Sequence, residues 1–590
     1  MTSLSLPRVS DGDVGSSRID AGGPSPPCSS THCTTVFWLS AIQVIVLFST
    51  GLTASVVGYA LGAAGGAWPR WIALLMAAAA THQALAWKQA RVARATRGYL
   101  SALATAWTLV TTFAATVVCE RLMDFSWDGQ WYHLEALLEL ARDWNPMVDA
   151  YPNPFVKHYP FGAWVLRRLL VDVTGNIESA KAVNWMLAVA SFGMASRTAV
   201  EAFALPLGRA LLFSVLLALA PNVVGQVMTF YVDGLLCSLL TCLVCAAVCF
   251  SKTGTWFDAV IALLVGVLAI NTKFTGPLYV LAIVGPVAMV LFWFARRRAL
   301  VLLGTLALTL SLGIGAVGYH PYVSNTLEHG DPFYPVNEGT LRDRCRETTR
   351  FRCYAAAADA FLDRNQLDRF VRSILAVSDS RPEEQPVVKL PFSVTWDEVR
   401  VAGYYDIRFG GYGPLYSGAL LVGILMLSTR LKRTSGFAIA PVALAVLLFA
   451  SGAAMPAGWW SRLAPQVWAV PVLCLAAIWM LGRSGTFLAA VLCANITCVI
   501  YSSASWTLRR QQQYDSDIEV LRTYGRSHVI MLRMRFPSTQ YRLRSIGIDY
   551  VEAQRLGCTS PYPLEGLFAE ACFEPRETLA RRAAPAATPL

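Results

Sequence analysis

Thirteen long apolar blocks dominate this chain, and no soluble fold has room for so many of them. They lie near residues 35–61, 68–87, 98–119, 180–200, 207–227, 233–251, 256–271, 275–295, 299–318, 411–428, 436–453, 464–481 and 484–503. A hydrocarbon layer about 30 Å thick needs roughly 20 apolar residues per crossing helix, so the blocks read as membrane spans. Composition agrees, with 55% hydrophobic and 15% charged residues among 590 and a mean hydropathy of +0.46. Outer-membrane barrel strands would be shorter and would alternate in polarity. The expected class is an all-α integral membrane protein of about 13 transmembrane helices, spanning 35–503.

The net charge of +11 is informative through its placement. Lys88, Arg91, Arg94 and Arg97 follow the second block, Arg209 precedes the fifth, Lys252 follows the sixth, and Arg296, Arg297 and Arg298 follow the eighth. Arg430, Lys432 and Arg433 follow the tenth and Arg483 separates the last two. Basic residues on alternate loops orient a multi-pass protein with those loops in the cytoplasm, here with the N-terminus inside and the C-terminus outside. A bacterial inner membrane is the expected location, and nucleic acid is not an expected partner.

The same threading places the three longest polar regions, 120–179, 319–410 and 504–590, on the outer face. They are rich in Trp, Tyr and Phe, unlike disordered segments. In the first, HLEALLELA and FGAWVLRRLLVDV have helical apolar spacing and are expected to lie on the membrane surface, with the proline-rich YPNPFVKHYP extended or turning between them. In the last, SHVIMLRM, PSTQYRLRSIG and IDYVEA read as strand, helix and strand, a small α/β appendage over 504–575. Residues 1–34 and 576–590 read as disordered tails. Two close cysteine pairs in outer regions, Cys345 with Cys353 and Cys558 with Cys572, are candidate disulfides.

No HExxH, paired CxxC, Walker or Rossmann pattern is present, so no metal or cofactor is expected from spacing. Cys242 and Cys245 lie within an apolar block and read as packing. What stands out is MDFSWDGQWYHLEALLELARDWNP, residues 123–146, directly after the third block. Asp124 and Asp128 lie there with His133, and Asp128 is set among Trp127, Gly129, Trp131 and Tyr132. A solvated helix end would carry such charges, but a carboxylate with aromatic neighbours also suits a general base. Lys157, His158, Lys273, Arg408, Arg462 and Gln466 punctuate other outer segments, with His320, His329 and Asp331 around EHGDPFYP. Cations facing such a carboxylate would bind a phosphate diester and leave the carboxylate to activate a hydroxyl.

These elements together, WDGQWYH (127–133), DWNP (143–146), KHYPFGAW (157–164), HGDPFYP (329–335), GGYGPLY (410–416) and WWSRLAPQVW (459–468), cover most of 120–481. The chain resembles the multi-pass glycosyltransferases of the GT-C fold, of the dolichyl-phosphate-mannose-protein mannosyltransferase type. The resemblance implies inverting sugar transfer from a polyprenyl-phosphate donor to a glycan, lipid or protein acceptor. By position it assigns the base to Asp128, with Asp124 in reserve, and donor-phosphate or substrate binding to Arg462, Lys157, His158, Lys273, Arg408, His133 and Gln466. Two features differ: the acidic loop follows the third span rather than the first, and the family's Asp-Glu pair reads Asp-Gly, which favours transfer without a metal. The alternatives are a lipid-linked saccharide flippase or transporter, expected to hold ionisable residues in mid-span, and an O-antigen polymerase or ligase, expected to use arginines of the late loop.

Overall fold

Leu, Ala and Val runs without charged interruptions satisfy their backbone within the helix and leave apolar side chains facing outward, and among the described residues each of the thirteen blocks contains a helix. The computed structural model describes residues 30–62, 68–88, 94–336, 359–381, 385–428 and 439–575. Its principal helices are α1 (Ser30–Ala60), α2 (Trp68–Lys88), α3 (Arg94–Arg121), α4 (Leu134–Ala141), α5 (Gly162–Thr174), α6 (Ala182–Glu201), α7 (Leu207–Ala218), α8 (Asp233–Thr253), α9 (Trp256–Ile270) and α10 (Gly276–Phe294). They continue with α11 (Arg296–Leu310), α12 (Tyr416–Ser428), α13 (Ile439–Ala454), α14 (Ala469–Met480), α15 (Thr486–Gly525) and α16 (Pro537–Ser545). Among the described residues, six helices are long and apolar enough to cross a membrane: those at His32–Ala60, Thr96–Arg121, Asp233–Thr253, Gly276–Phe294, Arg296–Ala316 and Thr486–Gly525. Several others are apolar but shorter. The fifth block, for instance, is divided where Pro221 ends the run of α7 and opens a separate turn, Pro221–Gln226.

Burial sorts the helices. The most apolar window of α8 is 78% buried within the protein, whereas that of α3 is 22% buried. Thus α8 lies inside the bundle, packed on α6, α9 and α10, and α3 lies at its edge, where Leu109, Val110 and Phe113 are exposed. An apolar surface of this kind is solvated by lipid in a multi-pass membrane protein.

The three polar regions meet at one end of the bundle. The main chain of Met123 donates to Gln511 of α15 at 2.9 Å, Asn325 donates to the carbonyl of His158 at 3.1 Å, and Gln226 donates to the carbonyl of Tyr405 at 3.0 Å.

Helix α15 corrects the sequence expectation that its span ends near 503. It runs 40 residues to Gly525, about 60 Å at 1.5 Å per residue, far more than a bilayer needs. Its polar second half holds helix formers, with side-chain pairs from Gln511 to Asp515 at 2.9 Å and from Gln513 to Asp517 at 3.1 Å, and no breaker before Gly525. The α/β appendage stands on this extension. Its sheet has the order β2-β1-β4-β3, from β1 (His528–Met534), β2 (Val551–Glu552), β3 (Tyr562–Leu564) and β4 (Ala569–Pro575). β1 pairs with β2 in parallel, across α16, and with β4 in antiparallel. Cys558 and Cys572 form a disulfide; Cys345 and Cys353 lie outside the described residues, as do residues 1–29 and 576–590. α1 begins at Ser30, within the segment expected to be tail.

The amphipathic helices also differ from expectation. Leu134, Leu137 and Leu138 of α4 are buried with Ile177, Ala180 and Phe230, and Ala136 and Leu140 join the main core on the other side. Protein, not lipid, covers the apolar stripe. Between α4 and α5, Pro154–Lys157 makes one helical turn, because Asn153 caps it and Pro154 occupies its first position.

Candidate active site

The polypeptide leaving α3 is tied back on itself by Asp124. One oxygen of its carboxylate accepts from the main chain of Ser126 at 2.7 Å, and the other accepts from Ser126 Oγ at 2.9 Å and from the main chain of Phe230 at 3.0 Å. Asp124 is fully buried. Its carboxyl is pushed upward by burial, against the lowering effect of the Phe230 and Ser126 hydrogen bonds. Both oxygens are therefore occupied in joining the first polar region to the turn before α8, and Asp124 serves as a positioning residue.

Gly129 sits directly on this knot. A Cβ there would run into the Asp124 carboxylate and Ser126 Oγ, so a bulkier residue beside Asp128 has no space. The Asp-Gly pair is thus a packing requirement of this loop.

Asp128 heads the π-helical turn Gly129–His133 and points the other way. Its Oδ2 lies 3.3 Å from Nη1 of Arg462. The same guanidinium lies 4.0 Å from Oδ2 of Asp233 through Nη1 and 3.4 Å from Oδ1 of Asp406 through Nε. Lys273 pairs with the other oxygen of Asp233, and Arg408 pairs with Oδ2 of Asp406 at 3.2 Å. Three carboxylates and three cations form one balanced cluster. Its contacts to Arg462 are longer than the roughly 2.7–2.9 Å of tight charge-assisted bonds, and the guanidinium is shared among all three carboxylates. Asp128 and Arg462 keep 23% and 15% of their side chains accessible, recessed but reachable.

Each member of the cluster is placed by its own element. Asp233 lies in the first turn of α8, where a helix N-terminus favours a negative charge. The turn before it is fixed by Arg167 of α5, which donates to the carbonyls of Phe230 at 2.7 Å and Tyr231 at 2.9 Å. Asn184 adds a bond to the carbonyl of Thr229 at 2.8 Å. Arg462 and Arg408 lie over the two-ring system of Trp460 at 4.1 and 4.0 Å, and Arg462 also faces Tyr231 at 5.2 Å. Gly410, at φ +59°, turns the chain after Arg408 so that its main-chain nitrogen reaches Ser373 at 2.9 Å.

Burial raises the Asp128 carboxyl; Arg462 opposes this, while Asp406 and Asp233 reinforce it. Tyr132 and Tyr159 are held well above their ordinary range, Tyr132 by burial and then Asp128, and Tyr159 by burial and then Asp233 and Asp128. The hydroxyls stay neutral beside a carboxylate whose basicity is enhanced.

The remaining sequence-derived residues divide. Lys273 and Arg408 join Arg462. His133 is buried, accepts at Nδ1 from Trp164 Nε1 at 2.9 Å, and is driven well below its ordinary pKa by burial, then by Arg167 and Lys273. A neutral imidazole does not serve as a phosphate-binding cation. Lys157 donates to the carbonyl of Pro146 at 2.9 Å, and His158 is grouped with Asn325 and His329 instead. Gln466 borders a small apolar cavity lined by Phe213, Leu217, Leu240, Val244, Leu448 and others of α7, α8, α13 and α14. Its Nε2 donates to Ser451 at 3.1 Å, while its Oε1 has no partner.

Neither a family model nor a curated protein sequence matches this chain. The chemistry must therefore be read from the geometry. Asp233 and Asp406 are the members that sequence reasoning missed, although both sit in aromatic settings, FYVDG and GYYDIRFGG, at the edges of apolar blocks. The cluster can accept a proton at Asp128 and can offer Arg462, Lys273 and Arg408 to an anion.

Proposed function

We propose that this protein is a thirteen-span membrane glycosyltransferase of the GT-C type, acting on the extracytoplasmic face of a bacterial inner membrane. The N-terminus is cytoplasmic and the C-terminal α/β unit is outside. Asp128 removes the proton from an acceptor hydroxyl as its oxygen bonds to the anomeric carbon of a lipid-linked sugar. The bond from that carbon to the phosphate oxygen breaks with inversion, and the lipid phosphate leaves against Arg462 and Lys273.

The observation that carries this reading is the pairing of Asp128 with Arg462, a recessed carboxylate beside a partly accessible cation. The apolar cavity between α7, α8, α13 and α14 supports it, because its border at Pro465 and Gln466 lies within four residues of Arg462 and its walls suit an isoprenoid tail. A flippase or transporter is less well supported. The buried pair of Arg197 with Asp258 joins the end of α6 to the beginning of α9, away from mid-span positions.

The polymerase or ligase alternative shares this site, since Arg408 of the late loop stacks on the same Trp460 as Arg462. Loss of activity in Arg408→Ala therefore does not separate the two enzymes, but product size does. Mass spectrometry of lipid-phosphate sugars and envelope glycans, with and without the protein, tests the proposal. Loss of one sugar residue from a glycan, with its lipid-phosphate donor retained, supports it; loss of glycan length with every sugar present favours a polymerase. Unchanged glycans with altered solute uptake would overturn it.

A further inference from the structure

His158 follows the turn Pro154–Lys157, while Glu328 and His329 close the short helix Ser324–His329. The two segments are brought together across 167 residues by the contact of His158 with Asn325. One ligand-type atom from each of His158, Glu328 and His329 falls within 4.8 Å of the others. The imidazole rings of His158 and His329 stand at 86° with centroids 4.7 Å apart, and His329 is stacked on Tyr334 at 3.8 Å.

Asn325 decides which nitrogen of His158 is available. Its amide nitrogen donates to the carbonyls of His158 at 3.1 Å and Tyr334 at 2.8 Å, so its oxygen is turned toward Nδ1 of His158 at 2.9 Å. A carbonyl oxygen only accepts, so Nδ1 carries the proton and Nε2 keeps its lone pair. Metal-binding histidines are oriented by this kind of outer hydrogen bond.

We propose that His158, Glu328 and His329 bind a divalent transition-metal ion of the zinc class, clamping residues 154–161 to 324–335. Two imidazoles and one carboxylate suit zinc, with water in the fourth position, whereas magnesium and calcium prefer oxygen donors throughout. Bonds of about 2.0–2.1 Å place tetrahedral donors roughly 3.4 Å apart. Closing from 4.8 Å falls to Glu328 and His329, whose side chains are 56% and 30% accessible. The site is independent of the transfer chemistry. Its ligands are far apart in sequence, which is why no spacing motif announced it.

The test uses the full chain in lipid nanodiscs, with an affinity tag free of histidine, dialysed against zinc and counted by mass spectrometry of the metal. One zinc per chain is expected, magnesium in excess should not displace it, and the double variant His158→Ala, His329→Ala should lose it. Asn325→Ala should keep the stoichiometry with an affinity about 10–100-fold weaker, the usual effect of removing an outer partner. Substoichiometric zinc in the wild type, or undiminished zinc in the double variant, overturns the proposal. Should that variant not fold, cobalt titration of the wild type decides: a tetrahedral visible absorption band supports the site, and its absence at saturating cobalt overturns it.

Discussion

Nη1 of Arg462 lies 3.3 Å from Oδ2 of Asp128 across 334 residues of chain. This contact joins the first polar region to the loop before α14 and places a carboxylate and a cation at one recess. Asp233 and Asp406 hold the guanidinium from its other sides. Replacing Asp128 with Asn leaves two carboxylates on Arg462 while removing the proton acceptor. Sugar transfer should fall by about 10²–10⁴-fold, the usual contribution of a general base, with donor binding retained. Retention of wild-type turnover in Asp128→Asn would contradict the assignment.

The same variant has a stability consequence. The Asp128 carboxyl is raised in the folded protein, first by burial, so its favourable contribution is present below the unfolded pKa and is lost as pH rises through the folded one. At neutral pH the ionised group opposes folding, and Asp128→Asn should melt at or above the wild-type temperature. The base must also be ionised to act, so turnover should fall on acidification at a pH above the ordinary aspartate range. A pH–rate profile and a thermal melt check the two signs together.

Gly129→Ala should be harmful although alanine is small. Its Cβ would meet the Asp124 carboxylate and Ser126 Oγ, and overpacking of this kind costs about 1–3 kcal/mol. A denaturation series and an activity assay should show both a lower melting temperature and reduced transfer, because the displaced loop carries Asp128.

Arg542 of α16 binds the base of the same loop from the C-terminal unit. It donates to Gln130 Oε1 at 3.0 Å, to the carbonyl of Asp124 at 3.1 Å and to Glu178 Oε1 at 2.6 Å. Glu178 is held below its ordinary range because Lys181 and Arg542 outweigh the raising effect of burial. That stability is present above the unfolded pKa and disappears as pH falls through the folded one. Arg542→Ala leaves a buried carboxylate short of a partner and should destabilise the protein by about 3–5 kcal/mol. Loosening of residues 124–130 in hydrogen exchange is the accompanying signature.

The Cys558–Cys572 bond closes a loop over a sequence separation of 14. Its reduction should lower the stability of the α/β unit by about 3 kcal/mol, the chain-entropy value for a loop near 15 residues. Limited proteolysis with and without reductant, followed at β3 and β4, measures the change.

The sequence made some of this architecture readable and concealed the rest for identifiable reasons. Apolar runs and strand or helix periodicity are local signals, so the helical membrane domain and the β1–α16–β2 order could be read directly. The buried placement of α4 could not, because Leu134, Leu137 and Leu138 have the same spacing whether lipid or Ile177 and Phe230 covers them. Aromatic neighbours and position favour Asp128 over Asp124 on paper, but the surroundings that distinguish them come from distant residues: Phe230, with Ser126, occupies the first, and Arg462 faces the second. Asp233 and Asp406 belong to different apolar-block boundaries and become site residues only when the bundle closes.

The most direct measurement of the central claim is single-turnover transfer by the purified protein in nanodiscs. It pairs a panel of polyprenyl-phosphate sugars with an acceptor extract, comparing wild type with Asp128→Asn and Arg462→Ala. An inverted glycosidic product and free polyprenyl phosphate are expected with the wild type, loss of turnover with donor binding intact in Asp128→Asn, and weakened donor binding in Arg462→Ala. Transfer that proceeds undiminished in both variants would contradict the claim.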